Sequence, residues 1–590
     1  MIPLAAPAAS TRVRLTRPST APTCGRDPVK ALHGPFPRSA QSPTVPMAAM
    51  TAETLLDELA DPACFPHGSL PDARIEPGAR VEPGARVEIV QTHLSVVCLV
   101  GDLVYKLKKA VTLPFVDFGT LARRQQACRD EVRLNRRLCS DVYLGTAALR
   151  RVDGRLRFAE VGDDGDEDGD DDVIDFAVVM RRLPQDRMLD ELVRTGIATE
   201  AEIRGLARLV ARFHAGAERG ADVRLAGDPE RLAGFAAANF RELAAIADHG
   251  LPTGLLAALG RFSAAAFARL MPELERRAAA GRVVDGHGDL HARNVCMTEP
   301  PTVYDCIEFE PAFRCGDVAT EIAFLAMDLR YRGAAALAGA FVDEYARAAQ
   351  DPDLHRVLPM LVSYRAMVRA KVAALAAAEP ELSAADRDGA RESARRHLLL
   401  AAAAALESRG RTWLVVAGAP ASGKSVLCRA LAETLRWPIV STDVVRKELA
   451  GLPPTQRARP EHYTWAFTRR TYRTLLERAA AAEAPVVLLD GNFPSIALRS
   501  LARAAAAGSG AGLALAHLAV DEATAVERAR ARQHRPGVVS DAGPEAAVAV
   551  RARFERPGVD ESPIELDGRE PAEELAAKLL ATLLDRLAPG

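Results

Sequence analysis

A chain of 590 residues is too long for one compact core, and at about 150 residues per domain it allows roughly four units. Its composition, 48% hydrophobic and 26% charged, excludes collagen-like, coiled-coil and globally disordered architectures. Lys and Arg number 76 against 78 Asp and Glu, so the net charge is -2 and no general basic field exists to hold nucleic acid or an anionic membrane; any nucleotide site must supply positive charge locally. The nine cysteines are odd in number, scattered and never in a C-x-x-C pair, which argues against a disulfide framework or a zinc cage and points to a reducing, cytoplasmic setting. The longest apolar run, Leu398 to Leu406, falls far short of the roughly 20 residues of a membrane span, so none is expected.

Residues 1–50 are rich in Pro, Ser, Thr and Ala and carry Arg12, Arg14, Arg17, Arg26, Lys30 and Arg38 against the single acid Asp27. They read as a disordered basic extension, either a transit peptide or a start placed upstream of Met47 or Met50. Folded sequence is expected from Thr51, the cap of a helix over TAETLLDELA. In Ile75–Glu88 a six-residue unit occurs twice, too few copies for a solenoid, so a loop is expected. Leu94–Val100, a Gly101-Asp102 turn and Leu103–Leu107 form a hairpin signal, and Arg123–Cys139 reads as a helix. The acidic tract Gly162–Asp172 opens like a calcium loop at Asp164, Asp166, Asp168 and Gly169, but Asp171 and Asp175 break that pattern; a hairpin tip between Leu156–Ala159 and Val173–Met180 fits better. From Glu200 to about Leu406 the pattern is helical and alanine-rich, interrupted by a strand-turn island at Arg282–Phe309. After Gly410 strands alternate with helices, at Thr412–Val416, Pro485–Leu489 and Leu513–Val520, which predicts a parallel α/β sheet and a domain boundary near Ser408–Arg411.

Within the island the chain reads VVDGHGDLHARNVCM and then TVYDCIEFE. Asp289, Asn294 and Asp305 have a spacing that phosphoryl transfer can use: one carboxylate to accept a hydroxyl proton, an amide and a second carboxylate for magnesium. His287, Asp289 and Asn294 reproduce the H-x-D-x-x-x-x-N interval of protein kinases, but Asp305-Cys306-Ile307 stands where D-F-G would be. With Gly288 and His291 added, H-G-D-x-H-x-x-N resembles the aminoglycoside phosphotransferases and their kinase-like relatives. That resemblance implies a small-lobe lysine on the phosphates, for which Lys106 is the candidate and Lys108, on the same strand face, the alternative; Glu131 in the next helix is the partner. No glycine-rich phosphate loop is present, the first hairpin offering Thr92, His93 and Ser95, and Met180–Pro184 stands where the fold links its lobes. His291 is expected to hold the loop through a backbone contact, Asp317 to cap the helix from Val318, and His214 to be a core histidine.

The second motif is GAPASGKS, formed by Gly418, Ala419, Pro420, Ala421, Ser422, Gly423, Lys424 and Ser425, between a predicted strand and a predicted helix. In this G-x-x-x-x-G-K-S loop, backbone N-H groups and the helix N-terminus face phosphate, Lys424 reaches the β and γ phosphates, and Ser425 supplies a magnesium ligand. Asp443 and Arg446 in STDVVRKEL lie where a small-molecule kinase keeps substrate-binding groups, although Asp443 could equally cap its helix. Asp490 ends the strand of VVLLDGNF, from which a carboxylate can serve magnesium. Arg528 and Arg532, four apart on one helical face and followed by Ser540–Ala542, resemble the lid of gluconate-kinase-like P-loop kinases; a solvated basic helix is the alternative.

The whole resembles a bacterial fusion of an aminoglycoside-phosphotransferase-like domain with a P-loop kinase domain. The expected fold is multidomain α+β and α/β. After the 1–50 extension comes a two-lobed protein-kinase-like domain over 51–408, with a small lobe at about 85–180 and a large lobe at about 185–408; a P-loop NTPase domain follows over 409–590. The resemblance implies ATP and Mg2+, a small-molecule hydroxyl acceptor and kinase chemistry, with Asp289, Lys424, Asp443, Arg528 and Arg532 as catalytic groups. Nucleic acid is a weak alternative acceptor, resting on the basic cluster Arg528–Arg535. A regulatory reading, in which only the P-loop half is catalytic, stays open, as do the acceptor and the oligomeric state.

Overall fold

The computed structural model describes residues 52–66, 86–113, 115–159, 162, 172–246, 249–380, 382–453, 455–533 and 543–588. Thr51, most of the repeat at 75–88, the acidic stretch 163–171 with its calcium-like pattern, and Ser540–Ala542 lie outside the described residues. The chain divides into two compact units, Ile2–Arg136 with Ser140–Arg182, and Arg137–Cys139 with Leu183–Gly590.

The first unit is a six-stranded antiparallel sheet: β1 (Val87–Gln91), β2 (Ser95–Val100), β3 (Leu103–Lys108), β4 (Tyr143–Val152), β5 (Arg155–Phe158) and β6 (Val173–Arg181), in spatial order β1-β2-β3-β6-β4-β5. Along β3 the alternation of a strand sends Leu103, Tyr105 and Leu107 into an apolar core with Leu59 and Phe65, and Lys106 and Lys108 to the other face. Tyr105, Phe65 and Phe158 form an aromatic trio with ring centroids 4.7–5.3 Å apart. Helix α1 (Ala52–Leu59) adds Leu59 to that core, and α2 (Leu121–Cys139) is capped by the Thr120 side chain. The expected hairpin of β5 with β6 is not formed. Strand β4 pairs with both and lies between them, so the acidic segment joins strands that are not neighbours. Asp175, the last position of the calcium-like pattern, is bonded to Arg124 at 2.8 Å.

The second unit combines a helical region with a parallel sheet. Its main helices are α3 (Glu200–Gly216), α4 (Thr253–Ala279), α5 (Val318–Tyr331), α6 (Leu354–Ala378) and α7 (Ala384–Glu407); β7 (Val283–Asp285) pairs with Cys315–Asp317. By length and composition α4 could cross a membrane, while its Leu255, Leu259, Phe262, Phe267 and Leu274 are buried among neighbouring helices. Next come β8 (Thr412–Ala417), α8 (Lys424–Leu435), β9 (Ile439–Ser441), α9 (Thr442–Leu449), α10 (Trp465–Ala481), β10 (Val486–Asp490), β11 (Gly512–Ala519), α11 (Glu522–Gln533), β12 (Ile564–Asp567) and α12 (Ala572–Leu587). The strands are all parallel in the order β9-β10-β8-β11-β12. Helix α12 packs on α4 and α7, so one continuous apolar core runs from Leu189 to Leu584. At this junction Glu407 accepts two bonds from Arg330, at 2.7 and 2.9 Å, and one from Trp437 Nε1 at 3.2 Å.

Candidate active sites

In the antiparallel unit, Lys106 and Lys108 both donate to Glu131, Lys106 to Oε1 at 2.9 Å and Lys108 to Oε2. Burial alone would raise this carboxyl, but the two ammonium groups hold it down at about 2. The structure therefore does not single out one lysine; Lys108 is the more deeply buried, and its ammonium lies 5.5 Å from the Phe118 ring centroid.

The HGD loop follows β7. His287 and Gly288 donate their backbone N-H groups to Glu321 Oε1, the Gly288 bond being 2.9 Å, and Glu321 Oε2 lies 2.9 Å from His214 Nε2. His214 Nδ1 is 2.7 Å from the Tyr345 hydroxyl, so His214 is a buried strut beneath the loop. Burial would raise the Glu321 carboxyl, yet His214 and the loop amides keep it at about 2. Gly286 permits this close approach, because a Cβ there would overlap the Glu321 carboxylate. Asp328, seven residues along α5 from Glu321, accepts from Ala292 N at 2.9 Å and from Arg332 Nε at 3.0 Å, fixing the turn after His291.

Asp289 is 5% exposed, with Oδ1 buried and without a hydrogen-bond partner among the described residues. Asn294 Nδ2 donates to Asp289 Oδ2 at 3.2 Å and to its backbone oxygen at 3.0 Å, and His291 Nε2 lies 3.5 Å from Oδ2. His291 thus meets the Asp289 carboxylate, not a backbone group as the sequence suggested. Burial would raise Asp289, but His291 dominates the opposing effect and holds the carboxyl below its usual range. Asp305 stands two residues past the strand Thr302–Val303 with φ 64°, a left-handed conformation. Asp317 caps α5 through Ala319 N at 2.8 Å and also binds Arg277 with both oxygens, each at 2.8 Å.

In the parallel sheet, β8 ends at Ala417 and Gly418 turns with φ 148°; a Cβ there would run into the Leu518 carbonyl. Lys424 begins α8 and its Nζ donates to Ala419 O at 2.9 Å. Ser425 Oγ donates to Asp490 Oδ2 at 2.7 Å, bringing the loop hydroxyl and the β10 carboxylate to one point. Ser422 Oγ is buried without a partner among the described residues. Arg528 Nη1 donates to Gly568 O at 2.8 Å and, with Ala421, Gly423, Val426 and Glu570, lines a cavity of about 390 Å³ beside the loop. Arg532 belongs to α11, but its side chain lies outside the described residues. Ser441 holds the cap position of α9, which leaves Asp443 in the first turn and not at the cap. Arg446 donates to His462 O at 2.6 Å and lies 4.6 Å from the Tyr463 ring centroid.

The donors present suit magnesium, a hard cation that takes one or two carboxylates and completes its shell with water and phosphate oxygens. Ser425 with Asp490 offers such a pair, and Asn294, its amide nitrogen turned to Asp289, and Asp305 are the donor types that would form the other. Among the described residues no group of three or more His, Cys, Asp or Glu side chains could cage a metal, so neither pair is a closed structural site.

Residues 116–359 match the family described as "Phosphotransferase enzyme family", and residues 414–557 match "AAA domain". Over 477 residues the chain is 31% identical to an uncharacterized protein of Mycobacterium tuberculosis, covering 79% of this chain and 90% of that one; a Mycobacterium bovis protein matches equally. The chain belongs to this family of phosphotransferase and P-loop kinase fusions. Solved structures similar to it include a gluconokinase from Sinorhizobium meliloti 1021 at 24% identity, covering 30% of this chain and 93% of that one with TM-score 0.23. Another is a shikimate kinase from Acinetobacter baumannii at 17% identity, covering 30% and 96% with TM-score 0.23.

In the phosphotransferase half, sequence reasoning missed Glu321 and Asp328. The signal was available: α5 is apolar nearly all round, and acids seven apart on a buried helix must have partners.

Proposed function

We propose that this fusion protein is an ATP- and Mg2+-dependent phosphotransferase with two nucleotide sites, passing the γ-phosphate to a hydroxyl of a small molecule. The observation that carries the reading is Asp289: a buried carboxylate kept ionised, one oxygen held by Asn294 and His291 and the other without a partner. A substrate hydroxyl completes Oδ1, and Asp289 orients it and takes its proton as transfer proceeds. Glu321 and Asp328 hold the loop so that this geometry costs no reorganisation during reaction. In the P-loop half, Lys424 and the loop amides bind phosphate, and Arg528 stands beside the loop to meet charge on the transferring group. Asn294 and Asp305 in one half and Ser425 and Asp490 in the other would hold magnesium, which would neutralise phosphate charge there.

The test is ATP turnover by the full chain carrying Asp289→Ala or Lys424→Ala. Each variant is expected to lose one of two separable activities by about 10²–10⁴-fold, the usual scale for a positioned proton acceptor. If Asp289→Ala leaves all phosphate transfer intact, the first half binds ATP without catalysing transfer and the regulatory reading replaces this one.

A further inference from the structure

The segment that carries Asp305 is tied to the HGD loop on both sides of that residue. Before it, Tyr304 N donates to Asn294 O at 3.0 Å and His287 Nε2 donates to Tyr304 O at 3.0 Å; after it, Ile307 N donates to His287 O at 3.1 Å. Between these ties Asp305 holds φ 64°, a left-handed conformation that costs a non-glycine residue free energy and persists only where its surroundings enforce it. The next residue supplies a further hold. Cys306 is 2% exposed, its Sγ lies 3.8 Å from Gly286 O, and it accepts from Arg137 Nη2 at 3.4 Å.

Arg137 is the first of the three residues at the end of α2 that belong to the second compact unit. Its Nη2 also donates to Gly286 O at 2.6 Å, and Nη1 donates to the backbone oxygen and to Oδ1 of Asp285, both at 2.9 Å. The Phe213 ring, with its centroid 5.2 Å from the guanidinium carbon, lies against the group. One planar fork therefore grips two stretches of chain, the one that leads into Asp289 and the one that follows Asp305; a lysine, with a single point of charge, has no such fork. This grip is not needed to balance Asp285, because Arg314 binds both of its carboxylate oxygens, at 2.9 and 3.1 Å. What Arg137 adds is the bridge from Gly286 to Cys306.

Resting on the proposed roles of Asp289 and Asp305, we infer that Arg137 is a positioning residue of the first site: by holding Gly286 and Cys306 in one grip it keeps Asp305 in its left-handed turn and fixes the metal carboxylate relative to the proton acceptor. Arg137 acts through those two residues, so its loss weakens the hold on metal and leaves metal-free nucleotide binding alone.

The experiment uses the full chain with Lys424→Ala and Asp490→Ala, which remove the phosphate lysine and the metal carboxylate of the P-loop half. Affinity for a fluorescent ATP analogue is measured with and without Mn2+, which stands in for Mg2+. Adding Arg137→Ala should leave the metal-free affinity unchanged and cut the gain from Mn2+ about tenfold, the scale for losing the support of a metal ligand. Millimolar guanidinium should restore part of that gain, since the Arg137 side chain is 26% exposed and its removal leaves a space open to solvent. Glu407→Ala, a destabilising change at the junction of α5 and α7, is the control and should keep the full gain. A gain indifferent to Arg137→Ala, or one that falls equally with Glu407→Ala, overturns the inference. Should Arg137→Ala not fold, Arg137→Lys serves: it keeps a cation beside Asp285 but cannot span both stretches, and an undiminished gain refutes the grip. If the parent binds no nucleotide or gains nothing from Mn2+, the two-site reading fails separately, and hydrogen exchange in the ligand-free chain decides Arg137. Faster exchange across residues 302–309 in Arg137→Ala than in the parent and Glu407→Ala supports the grip; equal exchange refutes it.

Discussion

The two candidate sites of the second compact unit are built in opposite ways. The P-loop site is nearly contiguous: Gly418 to Ser425 supply the turn, the lysine and the hydroxyl, and Asp490 arrives from the adjacent strand, where β8 and β10 pair Val416 with Asp490. The HGD site is assembled from afar, since His287, Gly288 and Ala292 hang from Glu321 and Asp328 on α5, and Glu321 is braced in turn by His214 of α3. A contiguous site concentrates its vulnerability in its own backbone. A distributed one spreads it over residues that never touch substrate.

The largest expected effect therefore comes from the P-loop backbone. Gly418→Ala places a methyl group against the Leu518 carbonyl at φ 148°, where an L side chain is strained as well as crowded. Nucleotide affinity of that half, measured with a fluorescent ATP analogue in an Asp289→Ala background, should fall by about 10²-fold or more, since both the loop amides and Lys424 depend on this turn. An unchanged affinity would show that the loop is not the nucleotide site. In the distributed site the corresponding change lies outside the loop. Glu321→Gln keeps the shape but weakens the charge-assisted bonds to His287 N and Gly288 N, and should lower first-site kcat by about 10- to 100-fold, the scale of lost supporting contacts at reactive centres. The KM for ATP in the P-loop half should not move; if it does, the two sites are not separable in this way.

The same contrast explains what could be read from the amino-acid order. GAPASGKS announces itself because all its chemistry is local, and HGDLHARN likewise gives the spacing of Asp289 and Asn294. Strand alternation placed Lys106 and Lys108 on one face, although both proved to share Glu131. What stayed hidden depends on tertiary approach. Glu321 and Asp328 reach the loop across a helix-to-loop contact, and nothing in their local sequence states which loop they face. The β5–β6 error has the same origin: an acidic turn between two strand patterns fixes a connection but not a pairing, and β4, earlier in the chain, inserts between them.

The junction between the two halves offers a third test, smaller in size. Glu407 ends α7 and joins Arg330 on α5 to Trp437 beyond α8, within a continuous apolar core. Glu407→Ala strands a largely buried guanidinium and should cost about 2 kcal/mol, less than a fully buried pair because Arg330 is 20% exposed. If the helical region and the parallel sheet unfold as one, denaturation followed by the fluorescence of Trp413, Trp437 and Trp465, all in the parallel-sheet half, and by far-ultraviolet circular dichroism should shift as a single transition. A shift confined to one probe would mean that the halves fold independently despite their shared core.

The smallest effect is a pH dependence at His397, buried on α7. Its ring stacks on Tyr331 with centroids 3.8 Å apart, Nδ1 lies 2.8 Å from Ser393 O, and Nε2 is buried with no partner among the described residues. Burial, with Arg369 adding repulsion, pushes the imidazole down from 6.5 to about 3. The sign follows from the proton count. Above pH 6.5 His397 is neutral in both folded and unfolded chains and contributes no pH dependence; below it the unfolded chain takes up a proton that the folded chain refuses, so stability falls with decreasing pH until about pH 3. Between about pH 6.5 and 5.5 the loss from this group is on the order of 1 kcal/mol. His397→Phe keeps a ring on Tyr331 and removes the proton, so urea unfolding of the variant should show a correspondingly flatter stability profile across that interval. The same slope in variant and parent would mean that His397 accepts a proton in the folded state after all, and that its surroundings are open enough to solvate the charge.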